Sequence, residues 1–103
     1  MFIGNRWYDQ HPRVSFAVSC IENADPKLKD TFIKLIIKDA LAFRIKATRP
    51  KAGLFRRWYD KDKNLSLAME YFKNANKKQR VAIAEHLIAY IRENNITLNT
   101  SVR

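Results

Sequence analysis

With a single cysteine, Cys20, among 103 residues, the chain can close no internal disulfide and cannot build a thiolate metal site by itself. That usage fits a reducing compartment, and the cytoplasm is the expected location. The two glycines, Gly4 and Gly53, are too few and too far apart for a Gly-rich loop that cradles phosphate. Histidine is equally sparse. His11 and His86 match no recognised metal-ligand spacing, so neither a metal nor a cofactor is expected. No apolar run approaches the roughly 18 residues needed to cross a bilayer, and residues 1–10 carry no signal-peptide core, so no membrane span is expected. Acids are the last shortage: ten Asp and Glu face twenty Lys and Arg, a formal net charge of +10.

What the chain has is a tetrapeptide used twice. Arg6-Trp7-Tyr8-Asp9 recurs as Arg57-Trp58-Tyr59-Asp60, 51 positions later, and the two copies hold both tryptophans. The same offset, with no gap, pairs Ser15 with Ser66, Ala17 with Ala68, Asn23 with Asn74, Ala24 with Ala75, Lys27 with Lys78 and Ile37 with Ile88. Apolar positions match in kind: Val14 with Leu65, Phe16 with Leu67, Val18 with Met69, Ile21 with Phe72, Phe32 with Ile83, Ile36 with Leu87. Rare residues and apolar pattern coinciding in one register predict an internal duplication.

Helix signals are strong, and strand signals are absent outside the tail, 96–103. Pro12 suits a first helical turn, so a short helix starts near His11 and carries the stripe Val14, Ala17, Val18, Ile21 to its end at Asn23. Asp25-Pro26 pairs an N-cap with proline at the first helical position and predicts a long second helix over about 26–46. Its apolar residues, from Leu28 through Phe32, Ile33, Leu35, Ile36, Ile37, Ala40 and Leu41 to Phe43, span more than one stripe. This helix is therefore expected to be the most buried element, covered by both halves or by a second copy. The second unit repeats the plan: Asp62 stands in for His11, the stripe becomes Leu65, Ala68, Met69 and Phe72, and Asn76 caps a fourth helix over about 77–94.

The predicted fold is all-α, a single domain over 1–103. Four helices form two duplicated short-long helical hairpins, units of about 5–47 and 56–95, packed in one bundle with pseudo-two-fold symmetry and joined by a basic connector, 48–57.

The charge is unevenly distributed. Residues 40–59 contain Arg44, Lys46, Arg49, Lys51, Arg56 and Arg57 and no acid, and a second acid-free run, 71–84, adds Lys73, Lys77, Lys78 and Arg80. Such runs neutralise phosphates, which makes the six cations of 44–57 candidates for contact with nucleic acid or another anion. They equally form solvated faces. No helix-turn-helix, zinc or aromatic-rich strand signature accompanies them.

The repeated Arg-Trp-Tyr-Asp admits two readings. Exposed aromatics beside an arginine stack bases or grip a phosphate. Alternatively the Trp covers the hairpin, the Tyr hydroxyl reaches a backbone group, and the Asp pairs with the Arg or caps the turn before the helix. Retention in both copies favours the structural role for Arg6, Trp7, Tyr8, Asp9, Arg57, Trp58, Tyr59 and Asp60. Ser15 and Ser66 lack a repeated histidine to activate them, and no paired carboxylates stand out, so an enzyme is not expected. The resulting expectation is a non-catalytic interaction module, binding an unidentified protein or associating with itself through the second helix. A nucleic-acid binder acting through 44–57 is the alternative.

Overall fold

The structure, a computed structural model, describes residues 6–47 and 58–96. The chain is all-α there: α1 (Pro12–Glu22), α2 (Pro26–Ala42), α3 (Lys63–Asn74) and α4 (Lys77–Glu93). One-turn 3-10 segments, Trp7–Gln10 and Trp58–Lys61, precede the two short helices. No strand occurs among the described residues, and no helix is long and apolar enough to cross a membrane.

Each helix starts where a side chain satisfies its first free N-H groups. His11 Nδ1 accepts from Arg13 N at 3.0 Å, Asp25 Oδ1 from Leu28 N at 2.8 Å, and Asp62 Oδ1 from both Asn64 N and Leu65 N. Asn76 and Gln79 exchange side-chain and backbone bonds as a capping box. Caps of this kind contribute about 1 kcal/mol each.

The long helices end alike. Arg44 and Asn95 take left-handed backbone conformations, φ 59° and 52°. Past each, an isoleucine N-H reaches back five residues: Ile45 N to Ala40 O at 2.8 Å and Ile96 N to Ile91 O at 3.0 Å. Arg44 N to Leu41 O and Asn95 N to Arg92 O complete the motif that closes a helix by satisfying its last carbonyls. This is why α2 stops at Ala42 instead of continuing to 46.

The core collects one stripe from each helix: Val14, Ala17, Val18 and Ile21; Phe32, Ile33, Ile36 and Ala40; Leu65, Ala68, Met69 and Phe72; Ile83, Ala84, Leu87 and Ile88. Tyr8, Tyr59 and Ile45 close it. Burying side chains of this size contributes roughly 1.5–3 kcal/mol apiece. Within a single chain α2 is not enveloped by the two halves. Only Phe32, Ile33, Ile36 and Ala40 are buried along it, Leu35, Ile37 and Phe43 are half-buried, and Leu41 is 62 % exposed. The shorter α3 is the more thoroughly buried, from Leu65 to Phe72.

Packing does not follow the order of the chain. α1 lies mainly against α4, and α3 mainly against α2, while each short helix touches the long helix that follows it much less. α2 and α4 also meet. Each short helix thus shields the long helix of the other half.

Candidate anion-contact face

The closing turn of α2 fixes the first part of this face. Ile45 is buried, so it anchors the backbone, while Arg44 and Lys46 on either side are exposed. Arginine is an unusual choice at Arg44, because a side chain with a Cβ in the left-handed region costs about 1–2 kcal/mol that glycine avoids. The matching site in α4 holds Asn95, a residue that tolerates this conformation far better.

The second part comes from the α3-α4 junction. Asn74 Nδ2 donates to Lys46 O at 2.8 Å, joining the turn after α2 to the end of α3. Phe43 and Lys78 line one shallow cavity of about 240 Å³ together with Asn76, Gln79 and Ala82. The two acid-free runs, distant in sequence, therefore meet. Lys77 and Lys78 occupy the first two positions of α4, at the positive end of its dipole, and its first turn contains no acid. Cations there work against the macrodipole by a few tenths of a kcal/mol each, the charge arrangement that attracts anions.

Arg44 and Lys46 are the two predicted contacts that the structure brings to this face. Arg49, Lys51, Arg56 and Arg57 lie outside the described residues.

The repeated motif builds something the sequence did not announce. Trp7 Nε1 donates to Tyr59 Oη at 3.3 Å, and Trp58 Nε1 donates to Tyr8 Oη at 3.2 Å. Each indole is held by the tyrosine of the other motif. Within each motif the Trp meets its own Tyr edge to face, at 5.1 Å for Trp7-Tyr8 and 5.2 Å for Trp58-Tyr59. Arg6 grips Asp9 with two bonds, 2.7 and 3.2 Å, which raises the arginine pKa above its ordinary value. Asp60 accepts from Ser66 Oγ at 3.1 Å. The corresponding Arg57 is outside the described residues.

The residue that composition could not single out is Arg80. Its guanidinium lies over the Trp7 ring at 5.2 Å, donates from Nη2 to Lys73 O and reaches Trp7 O from Nη1 at 3.5 Å. Partial burial pushes its pKa below the usual arginine value. Position in an acid-free run was the only signal it gave.

The remaining reactive groups are scattered. Cys20 is buried, and loss of solvent raises its thiol pKa to about 11. His86 Nδ1 meets Asp39 Oδ2 at 2.5 Å, tying α4 to α2. Arg13 binds Glu85 at 2.7 and 2.9 Å, tying α1 to α4, and holds that carboxyl below its ordinary range. Among the described residues no three His, Cys, Asp or Glu side chains cluster as a metal site would need.

The chain matches no protein-family model, and no curated protein or solved structure shows significant similarity to it.

Proposed function

We propose that this protein is a non-catalytic interaction module whose partner is nucleic acid, contacted through the face where residues 43–46 meet the start of α4. The observation that carries this reading is the Asn74-Lys46 bond, which fastens the two acid-free runs to one another. It sets Arg44 and Lys46 beside the α3-α4 junction that carries Lys73, Lys77 and Lys78. The unfavourable backbone at Arg44 and the cations at the positive end of α4 both sacrifice some stability, as binding sites commonly do. Arg49, Lys51, Arg56 and Arg57 extend the same positive stretch in sequence. The architecture behind it is an internal duplication of a short-long helical unit about an approximate two-fold axis. Supporting that are the matched core stripes, the reciprocal Trp-Tyr bonds and the like ends of α2 and α4. A cytoplasmic setting suits the one buried thiol.

The test is fluorescence anisotropy with single-stranded and duplex oligonucleotides across a salt series. Binding should weaken log-linearly with salt, and the Arg44→Glu/Lys46→Glu/Lys78→Glu variant should lower the slope by about 0.7–0.9 per phosphate contact removed. No binding at low salt, or a charge-reversed variant that binds as the wild type does, would overturn the reading.

A second reading rests on Leu41, 62 % exposed on the outer side of α2 with Ile37 half-buried a turn away. This reading is self-association through α2. Light scattering on the wild type and on Leu41→Lys decides it: a monomer at every concentration in both excludes it.

A further inference from the structure

Two cavities of nearly equal size occupy matching places in the bundle. One, about 230 Å³, lies between the starts of α1 and α4 and is lined by Trp7, Gln10, His11, Val14, Lys77 and Arg80. The other, about 240 Å³, lies between the starts of α3 and α2 and is lined by Pro26, Lys29, Asp30, Ile33, Asp62 and Asn64. At the repeat offset His11 corresponds to Asp62, Lys77 to Pro26 and Arg80 to Lys29. The shape recurs and the charge does not: the second cavity has two carboxylates, the first has none among the described residues.

Arg80 makes the first cavity electrically incomplete. Its bonds run only to neutral backbone oxygens, of Lys73 and Trp7. No carboxylate among the described residues pairs with it, and its Nε is buried with no partner. A partly desolvated guanidinium without a counter-charge is destabilising, and an arriving anion removes that penalty. Lys77 stands on the same wall. His11 uses Nδ1 as the acceptor of its helix cap, which leaves Nε2 as an N-H donor, and the Gln10 amide adds further donors.

We propose that this cavity binds the phosphate group of a small phosphate monoester. Arg80 and Lys77 supply the counter-charge, and His11 Nε2 and Gln10 donate to the remaining oxygens. The volume falls below the 300 Å³ or so usual for drug-sized ligands, which restricts the ester to a small organic remainder. The site shares Lys77 with the face of the nucleic-acid reading, but that reading rests on Arg44 and Lys46 and is tested without changing Lys77, so either can fail without the other.

The probes are phenyl phosphate and inorganic phosphate, titrated into the full chain at constant ionic strength with chloride as the control anion. The readout is the pair of tryptophan indole N-H signals in a proton-nitrogen NMR spectrum. Trp7 lines the cavity and Trp58 does not, so the Trp7 signal should shift and saturate while the Trp58 signal stays put. Lys77→Glu should weaken binding about tenfold or more. His11→Asp keeps a residue that can cap α1 while copying the charge of the second cavity, and it should weaken binding several-fold. Lys29→Glu, in the other cavity, should leave affinity unchanged. A Trp7 signal indifferent to both probes, equal movement of both indoles, or wild-type affinity in Lys77→Glu would each overturn the proposal. Retained chemical-shift dispersion in each variant shows that it is folded.

Discussion

The corners formed by Trp7 and Trp58 are alike at their centres and unlike at their margins. Each indole donates to the opposite tyrosine at almost the same distance, 3.3 against 3.2 Å, and each stands nearly perpendicular to its own tyrosine, at 88° and 89°. Around Trp7, however, lie the edge of Phe72 at 5.2 Å and the guanidinium of Arg80. Their counterparts at the repeat offset, Ile21 and Lys29, have neither an aromatic edge nor a planar cation. The hydrogen-bonded centre is common to both corners, while its surroundings differ both in the core, at the fully buried Phe72 and Ile21, and at the half-buried Arg80 and Lys29.

The strongest way to break that comparison is in the core. Phe72→Ala should cost about 3–5 kcal/mol and Ile21→Ala about 2–5 kcal/mol, and urea unfolding of both should remain a single transition with unchanged steepness. Two separated transitions in either variant would mean that the halves unfold independently. At the corners, Trp58→Phe should cost about 1–2 kcal/mol, through a lost hydrogen bond to a part-buried hydroxyl and some lost apolar area. Trp7→Phe should cost more, since its indole also faces Arg80. Equal losses in the two variants would show the arginine to be energetically idle.

At the helix ends the comparison reverses sign. Arg44→Gly should raise stability by about 1 kcal/mol by relieving the left-handed arginine, whereas Asn95→Gly should be nearly neutral. The same Arg44→Gly should weaken oligonucleotide binding. A variant that is more stable and binds equally well would separate Arg44 from the face proposed for it. The smallest effect belongs to the exposed Arg13-Glu85 bridge, which has no counterpart at the repeat offset: the matching positions are Asn64 and Lys34, and Lys34 pairs with Asp30 instead. Because Arg13 lowers the Glu85 pKa, the contribution exists above the ordinary carboxylate range and disappears as pH falls through the lowered value. Glu85→Gln should flatten that acid-side dependence slightly and lose its effect in high salt.

Much of the local structure was readable beforehand. Pro12, Asp25-Pro26, Asp62 and Asn76 mark helix starts through chemistry that acts within four residues, and the core stripes of α1 and α3 follow from helical spacing alone, whereas the apolar residues of α2 span more than the stripe it buries. The end of α2 was not readable, because position 44 holds neither glycine nor asparagine, and a left-handed arginine leaves no trace in composition. Nor was the exchange of partners between short and long helices, which depends on surfaces that meet only in three dimensions. The Trp-Tyr bonds join residues about 50 positions apart and follow from that exchange. The candidate face was half legible: both basic runs stood out, but their contact depends on the Asn74 amide reaching Lys46 O, and nothing in the charge pattern indicates it.

The crossing over of the short helices carries a consequence for how this chain can be cut. Since α1 rests on α4 and α3 on α2, a polypeptide ending after residue 47 would be missing its main support, and so would one beginning at 58. Mixed together, the two pieces should reconstitute the bundle without the peptide link, as a split reporter does. On the proposed duplication, a forebear consisting of one unit alone would have met the same need by pairing with its twin.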